Sequence, residues 1–226
     1  MNPPLARRAL LRGAVLLGVA GWLGTAGCAT TTIPETTMPE QGTPSPSASG
    51  TAARILLAYF SRAGENYYFG GRRDLEVGNT EVLAGMIAEL IDCDVHRIEA
   101  ADPYPASYDQ TVQRNVTEQD TDDRPGIANP LASIADYHTV LLGSPIWNVR
   151  APMIMTTFTE ALSFTGKTIH PFTTYAMSGL GTTERDYTAS CPGAALGEGL
   201  AVRGEDAADA GPVVDSWLRR IGLLTR

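Results

Sequence analysis

The stretch from Arg54 to Glu89 constrains the fold of this chain more than any other part of the sequence. It begins with a short apolar run, ILLAYF, continues into SRAGEN, and resumes as GNTEVLAGMIAE. A buried strand that ends in small hydroxyl and glycine residues and leads to a helix is how α/β folds build an anion site, because backbone N–H groups at the helix start and nearby hydroxyls together hold a phosphate. The sequence therefore predicts a site for a phosphorylated cofactor.

Four residues near this strand and helix are candidate phosphate ligands: Ser61, Arg62, Asn79 and Thr80. About fifteen residues, 64–78, separate the first pair from the second. The segment therefore matches neither the Gly-Lys-Ser/Thr phosphate loop nor the GxGxxG dinucleotide fingerprint. In the alternative interpretation, Asn79 and Thr80 only cap a helix, as these residue types do in any protein.

A second apolar segment, TVLLGSPIWNVRA at 139–151, also ends in a polar loop. This loop contains Pro145, Ile146, Trp147 and Asn148. A tryptophan just beyond the carboxyl end of a parallel strand is well placed to stack on a flat ring. The alternative is that Trp147 packs on the following helix, since large aromatic residues usually bury most of their area.

A third segment, TIHPFTTYAMSGLGTT at 168–183, combines a β-rich run with a Ser-Gly-x-Gly loop. Ser178, Gly179 and Gly181 would let the backbone approach the edge of a ring, although such a loop is also common as a plain turn. In an open α/β sheet the carboxyl ends of the strands converge on one crevice. The three loops together therefore predict one binding site.

Strands and helices alternate along the chain, which predicts an α/β fold with a doubly wound, five-stranded parallel sheet and helices on both faces. Strands are predicted near 54–60, 95–99, 138–143, 168–176 and 198–202, and helices near 80–91, 107–119, 150–163 and 211–222. The polar segment after the second strand holds Tyr104 and Tyr108, which either line the crevice or pack on the surface.

These motifs resemble the flavodoxin family. YFSRAGEN followed by VGNTEVLA is similar to its phosphate loop, with the insertion found in a flavodoxin-like lipoprotein and oxidoreductase subfamily, and SPIWNVRAPM is similar to its second flavin loop. The resemblance implies FMN as the cofactor, strand order 2-1-3-4-5 in a three-layer sandwich, and Trp147 as the main contact of the isoalloxazine ring. It assigns the four candidate ligands to the phosphate, and places residues 145–148 and 178–181 around the ring.

The first 28 residues are predicted to be an export signal rather than part of the fold. Arg7 and Arg8 resemble the twin-arginine signal, and the apolar stretch of about ten residues that follows is too short to span a bilayer. Thr25-Ala26-Gly27-Cys28 resembles a bacterial lipobox with Cys28 as the lipidated residue. Because Thr25 stands where that pattern prefers Leu, cleavage without lipidation stays an alternative.

Residues 29–52 are rich in Thr, Pro, Ser and Gly, a composition typical of a disordered tether. Residues 53–226 are long enough for one domain with a single core. They carry 14 Lys and Arg against 23 Asp and Glu, a net charge of −9. This acidic balance disfavours nucleic acid and anionic lipid as direct partners and would suit either a basic redox partner or simple solubility.

The remaining chemistry-bearing residues form no recognisable catalytic or metal motif. Export would permit a disulfide between Cys93 and Cys191, but their spacing does not decide whether they meet. The three histidines lack ligand spacing, so no metal site is predicted. No nucleophile elbow, triad or carboxylate pair is present, so any chemistry must come from the cofactor.

The sequence therefore predicts an FMN protein that transfers electrons outside the cytoplasmic membrane, as a carrier or a small flavin-dependent oxidoreductase. It would be held by a lipid anchor on the outer face of the cytoplasmic membrane, in the bacterial cell envelope. One alternative is an envelope binding module without FMN, whose crevice the insertion would cap with Tyr67, Tyr68 and Phe69. A second is an NAD(P)H-dependent quinone reductase, for which the sequence holds no nucleotide fingerprint. The electron donor and acceptor are open at this point.

Overall fold

The computed structural model of the protein describes residues 54–225. The predicted export signal, the lipidation site at Cys28 and the tether at 29–52 lie outside the described residues. Within residues 54–225, no helix combines the length and the apolar character needed to cross a membrane.

Strands and helices alternate through most of the described chain. In chain order the elements are β1 (Arg54–Tyr59), β2 (Gly64–Tyr68), β3 (Gly71–Leu75), α1 (Asn79–Leu90), β4 (Asp94–Arg97), α2 (Tyr108–Asp120), β5 (Tyr137–Pro145), α3 (Met153–Glu160), β6 (Thr168–Tyr175), α4 (Thr183–Ser190), β7 (Ala195–Leu196), β8 (Leu200–Arg203), a 3-10 helix (Gly204–Asp209) and α5 (Gly211–Arg220).

One parallel sheet forms the centre of the fold, in the order β4-β1-β5-β6, with β7 and β8 both paired to the far side of β6. Counted by position in the sheet, this is the predicted order 2-1-3-4-5. The doubly wound, flavodoxin-like α/β fold is confirmed.

The fifth position of the sheet is divided between two short strands, so the predicted strand at 198–202 is displaced. The Glu198 carbonyl oxygen accepts a hydrogen bond from Trp217 Nε1 at 3.1 Å, and it also lies 3.0 Å from Nδ1 of His170, a residue of β6. Gly197 passes so close to the His170 ring that a Cβ would collide with it. The two side chains thus interrupt the strand, and β8 begins only at Leu200.

Apolar side chains of the sheet pack on both of its faces. Leu57 and Leu141 join one core with α1 and α5, whereas Leu56 and Leu142 join the other with α3 and α4. The three-layer sandwich is therefore as predicted, because consecutive residues of a strand point to opposite faces.

Besides β7, the β2–β3 hairpin, α4 and the 3-10 helix are absent from the sequence prediction. The hairpin, GENYYFGGRRDL, buries none of its residues fully, and α4 buries only Thr183 and Tyr187. Hydrophobic periodicity is weak in such segments, which is why the sequence does not reveal them.

Cys93 and Cys191 are free thiols. They lie on opposite sides of the sheet, since Cys93 packs with the α1 and α5 core and Cys191 with the α3 and α4 core. Burial raises the pKa of the Cys191 thiol to about 11, so it stays protonated near neutral pH.

Candidate functional site

A cleft of about 530 Å³ opens where the carboxyl ends of β1, β5 and β6 meet. Its volume falls within the range of small-molecule sites. Seven of the predicted site residues line it: Arg62, Asn79, Pro145, Ile146, Trp147, Asn148 and Ser178. The other four, Ser61, Thr80, Gly179 and Gly181, are not part of its lining. The structure therefore brings the three predicted loops together, as expected for an open α/β sheet.

At one end of the cleft, α1 begins without a side-chain cap of its own. Its N-cap residue is Gly78, and Asn79 and Thr80 are its first two helical residues. The alternative in which Asn79 and Thr80 only cap the helix is therefore wrong. Instead, Ser61 Oγ accepts a hydrogen bond from the Glu81 N–H at 3.1 Å, so the strand end supplies the capping oxygen that the helix lacks.

Thr80 lies beneath this end of the cleft and is 1% exposed. Its hydroxyl oxygen is 2.7 Å from that of Thr174 on β6, which ties the start of α1 to the sheet. The N–H groups of Asn79 and Thr80 have no acceptor among the described residues. Together with the helix dipole, they form a site that favours a negative charge.

Gly78 lets the backbone pack closely at this point. A Cβ there would collide with Ser61 Oγ and with the Arg62 carbonyl group. Only glycine therefore allows the strand end and the helix start to lie side by side, despite the insertion between them in sequence.

Arg62 lies at the wall of the cleft, but its guanidinium group holds protein atoms. It donates to the carbonyl oxygens of Pro105 and Ala106, each at 3.0 Å, and to that of Glu65. Burial lowers the pKa of Arg62, partly offset by the Glu65 carboxylate. Among the guanidinium nitrogens of Arg62, Nε alone is buried and has no hydrogen-bond partner within residues 54–225. The structure thus gives Arg62 an anchoring role between β2 and the segment before α2.

The inserted hairpin bridges the cleft between α2 and the 3-10 helix. Glu65 accepts a hydrogen bond from the Tyr108 N–H at 3.0 Å, and the Arg72 guanidinium lies 3.6 Å from the centre of the Tyr108 ring. At the far end, the Phe69 N–H donates to Glu205 at 3.0 Å. These contacts fasten the hairpin at both ends.

Only one of the three hairpin aromatics predicted to cap the crevice reaches it. Tyr67 lines the cleft, whereas Tyr68 stacks edge-on against Phe69, and Phe69 is 68% exposed. The side chains of a strand alternate between two faces, so consecutive aromatics cannot all face the cleft.

Trp147 both lines the cleft and packs on neighbouring aromatic rings. Its ring meets those of Phe60 and Tyr104 edge-on, with centroids 5.7 and 5.1 Å away. The Gln119 side chain of α2 donates to the Trp147 carbonyl oxygen at 3.3 Å. Trp147 is therefore held in place by its neighbours while part of its ring faces the cleft.

A tight turn at residues 147–150 carries backbone strain. The Trp147 N–H donates to the Arg150 carbonyl oxygen at 2.8 Å, and the central residues Asn148 and Val149 have φ of 50° and 68°. Asn tolerates this left-handed region, but a β-branched residue such as Val rarely adopts it. Strain of this kind persists only where the surroundings impose it.

The loop at 178–181 supplies that constraint. Gly181 has φ 57° and packs against the Val149 carbonyl group, which accepts a hydrogen bond from the Thr182 N–H at 2.8 Å. Gly179 accepts a hydrogen bond from Thr173 Oγ1 at 3.1 Å. Gly181 thus joins the third loop to the second, whereas Gly179 is tied to β6, and of the three predicted residues in this loop only Ser178 reaches the cleft.

One wall of the cleft, formed by α2, was not predicted from the sequence apart from Tyr108. Its cleft-lining residues are Tyr108, Thr111, Val112, Asn115 and Val116. Tyr108 lines the cleft, while Tyr104 is half-buried and packs against Phe60 and Trp147. A signal for this wall was present in the sequence, because Val112 and Val116 stand four residues apart in an otherwise polar helix and so share one face.

Within residues 54–225, no group of three or more His, Cys, Asp or Glu side chains is arranged to hold a metal ion.

Comparisons with known proteins agree with this architecture. The flavodoxin family model matches residues 54–221. Among solved structures, a candidate flavoprotein of Bacteroides uniformis is 29% identical with a TM-score of 0.59, over 74% of this chain and 98% of that one. A candidate flavoprotein of Bacteroides eggerthii is 27% identical with a TM-score of 0.60, over 75% and 98%.

A flavoprotein of Lactobacillus acidophilus, solved in complex with FMN, is 17% identical with a TM-score of 0.50, over 71% of this chain and 99% of that one. No curated protein matches the chain at a significant level. The family match covers the whole parallel sheet, its flanking helices and the three loops of the cleft. The chain belongs to the flavodoxin family.

Proposed function

We propose that this protein binds FMN in the cleft and transfers electrons through it outside the cytoplasmic membrane, as a carrier or a small flavin-dependent oxidoreductase. The observation that carries the proposal is the start of α1, where the N–H groups of Asn79 and Thr80 have no described acceptor. Gly78 lets the end of β1 pack directly against this helix start. Such donors at a helix N-terminus fit a phosphate.

The opposite part of the cleft fits a flat ring. Trp147 presents part of its aromatic surface there, and Ile146 and Met177 add apolar contacts. Aromatic and apolar walls stabilise a flavin ring by stacking and by excluding water, and FMN would supply the redox chemistry that the side chains lack. The FMN complex of the Lactobacillus acidophilus flavoprotein, a protein of the same fold, supports this choice of cofactor.

Comparison of FMN with riboflavin tests the phosphate site directly. The full chain, purified without added flavin, is titrated with each compound, and quenching of flavin fluorescence gives the dissociation constants. We expect FMN to bind far more tightly than riboflavin, which lacks the phosphate.

Asn79→Asp places a negative charge at the start of α1. We expect it to weaken FMN binding by about tenfold or more while riboflavin binding changes little, because only FMN carries a charge to repel. Trp147→Ala should weaken both compounds, since both contain the ring. If the unmodified chain binds no FMN, the proposal fails and a binding module without flavin takes its place.

Export and lipidation are proposed from the sequence alone. The twin-arginine pattern and Cys28 predict a folded protein that is exported and then held on the outer face of the membrane by lipid at Cys28. Labelling of growing cells with a clickable fatty acid should give a labelled band that disappears in Cys28→Ala. A band that is unaffected by this substitution would contradict the anchor.

A further inference from the structure

Lys167 stands apart from the other basic residues of the protein. Of the 17 Lys and Arg residues of the chain, it is the only lysine, and its exposed fraction is only 7%. Lysine is almost never buried to this degree unless a counter-charge pairs with it, because a buried ammonium group loses its hydration. The partners of Lys167 therefore decide what role it has.

The ammonium group of Lys167 donates to two backbone carbonyl oxygens. Nζ lies 2.6 Å from the carbonyl oxygen of Tyr137 and 3.4 Å from that of Ala135. An ammonium group has three N–H donors, and a carbonyl oxygen carries no net charge. One donor and the positive charge of Lys167 thus remain for a further partner.

Within residues 54–225, no carboxylate forms an ion pair with Lys167. The acidic residues next to the segments that surround it, Asp136 and Glu160, pair with arginines instead. Asp136 lies 3.7 Å from the guanidinium group of Arg54, and Glu160 lies 2.6 Å from that of Arg124. The charge of Lys167 is therefore not neutralised by the described chain.

Lys167 lines a surface depression of about 410 Å³ that is formed by residues 132–135 and 161–167. We call it the lysine depression. Three hydroxyl-bearing residues, Ser133, Ser163 and Thr165, also line it, and the rest of its lining is aliphatic. No acidic side chain of residues 54–225 contributes to this lining, although the domain carries a net charge of −9. The local charge therefore favours an anion.

The hydroxyl groups of the lysine depression have free donor capacity. Ser163 makes no side-chain hydrogen bond within residues 54–225, and Thr165 has only a long contact of 3.4 Å to the Pro192 carbonyl oxygen. Ser133 accepts a hydrogen bond from the Ala135 N–H at 3.0 Å, which leaves its own proton available. Hydroxyl donors beside a cation suit the oxygens of an anion, because hydrogen bonds to charged groups are the stronger ones.

The lysine depression lies at the opposite end of the sheet from the FMN cleft. Lys167 directly precedes β6, and Asp136 directly precedes β5, so the depression is at the amino ends of these strands. The cleft is at their carboxyl ends, and the eight residues of β6 separate the two by about 25 Å. The two linings share no residue. A ligand of the lysine depression would therefore not occupy the site assigned to FMN.

We propose that the lysine depression binds a small oxyanion, the chemistry that phosphate and carboxylate groups share. Lys167 supplies the charge and its remaining N–H, and Ser163 and Thr165 donate to the oxygens of the anion. The bound anion neutralises the buried ammonium group and so also stabilises the fold. This proposal goes beyond the proposed function, because it involves neither FMN nor electron transfer.

A single lysine makes the test specific. The full chain is produced with lysine that carries ¹³C at Cε, so one NMR signal reports on the surroundings of the Lys167 ammonium group. The FMN-saturated protein is titrated with inorganic phosphate or with acetate, and with sodium chloride at the same ionic strength as the control. We expect a saturable shift of the signal with the oxyanions and a much smaller, non-saturable one with chloride. The compound that saturates at the lower concentration identifies phosphate or carboxylate as the preferred group.

Ser163→Ala tests the hydroxyl while it keeps the lysine signal. We expect the substitution to weaken binding of the anion by about fivefold, the effect of one lost hydrogen bond. Ser216→Ala is the matched control, since Ser216 is an exposed serine of α5 and is not part of the lining. This control should bind the anion like the unmodified chain.

Lys167→Met removes the charge and keeps most of the length of the side chain. Because this variant has no lysine signal, thermal unfolding replaces NMR. A saturating concentration of the anion should raise the melting temperature of the unmodified protein but not that of the variant. If the variant does not fold, the titration of Ser163→Ala decides the question.

The other outcomes overturn the proposal and leave the proposed function standing. If neither anion gives a saturable shift, or if chloride shifts the signal as strongly, Lys167 only links the segments before β5 and β6. If the shift is saturable but identical in Ser163→Ala, the anion binds outside the lysine depression. A chain that binds no FMN defeats the proposed function alone, because the same titration can be made on the flavin-free protein.

Discussion

Helices α1 and α2 both border the cleft, yet they are attached to the domain in opposite ways. α1 buries Leu83, Ala84 and Ile87 against the sheet. α2 buries Thr111, Asn115 and Glu118 and exposes its two valines. α1 follows the usual amphipathic pattern, whereas α2 is fastened by hydrogen bonds and keeps its aliphatic side chains for the cleft.

The difference separates two roles within one site. The start of α1 must hold a fixed position, because its N–H groups are the proposed phosphate donors, and apolar burial against the sheet gives that rigidity. α2 instead forms a wall of the cleft, so its lining side chains can contact a ligand. Substitutions on the two helices and a change of pH test this contrast. Their expected effects on the free energy of unfolding decrease from Leu83→Ala to the valine variants.

The largest effect is expected from Leu83→Ala on α1. Leu83 is fully buried, so the substitution removes apolar contacts and leaves a cavity that costs about 3–5 kcal/mol of the free energy of unfolding. Val116→Ala on α2 is the paired variant and should cost less than about 1 kcal/mol, since its side chain already meets water. Urea unfolding followed by circular dichroism measures both, and equal losses would contradict the contrast.

Glu118→Ala should be the most damaging change on α2. It removes the acceptor of Tyr104 and Arg114 and leaves both groups partly buried without that partner, at a cost of about 2–3 kcal/mol. Glu89→Ala on α1 is the control, because Glu89 is an exposed residue of the same type. The same unfolding measurement should find almost no loss in the control; a similar loss in both would show that Glu118 has no special role.

Alkaline pH provides a gentler test of the α2 attachment. Burial, and secondarily the negative charge of Glu118, raises the pKa of Tyr104 above its usual value of 10.0. The unfolded chain therefore loses this proton at a lower pH than the folded chain, and stability falls as pH rises above 10. Each pH unit costs about 1.4 kcal/mol from this group alone.

Tyr104→Phe removes that ionisation. Other buried tyrosines, such as Tyr59, also have raised pKa values, so the comparison with the variant isolates the share of Tyr104. The free energy of unfolding of the unmodified chain should fall more steeply above pH 10 than that of Tyr104→Phe. Parallel pH profiles for the two proteins would rule out this contribution.

The smallest effect on stability is expected from Val112→Thr and Val116→Thr, each within about 0.5 kcal/mol. Both side chains are two-fifths exposed, and Val and Thr have similar helix propensities. Thermal unfolding measures this directly. A large loss would mean that the valines support the fold as well as lining the cleft.

The fold and the position of the cleft could be predicted from the sequence because both depend on local patterns. Short apolar runs such as ILLAYF favour a buried strand, and parallel strands bring their carboxyl ends to one edge. The loop at 145–148 and the helix start at Asn79 therefore reach the cleft as predicted.

The roles of individual residues within the site were less predictable. Ser61 caps α1 and Thr80 pairs with Thr174, while Arg62 anchors the hairpin. Gly181 packs against the loop of Val149. Each contact joins residues far apart in sequence, so no local pattern distinguishes a ligand-binding role from a supporting one.

The alternating α/β architecture, the order of the loops and most residue types around the cleft follow from the sequence. The folded chain was needed to see that the inserted segment forms a hairpin held at both ends, that two short strands share the fifth position of the sheet, and that the valines of α2 line the cleft. The two sets of features depend on interactions of different range along the chain. Hydrophobic periodicity is a pattern among residues that are close in sequence. The hydrogen bonds of Arg62, Glu118 and Glu198 instead depend on partners that come within reach only in the folded chain.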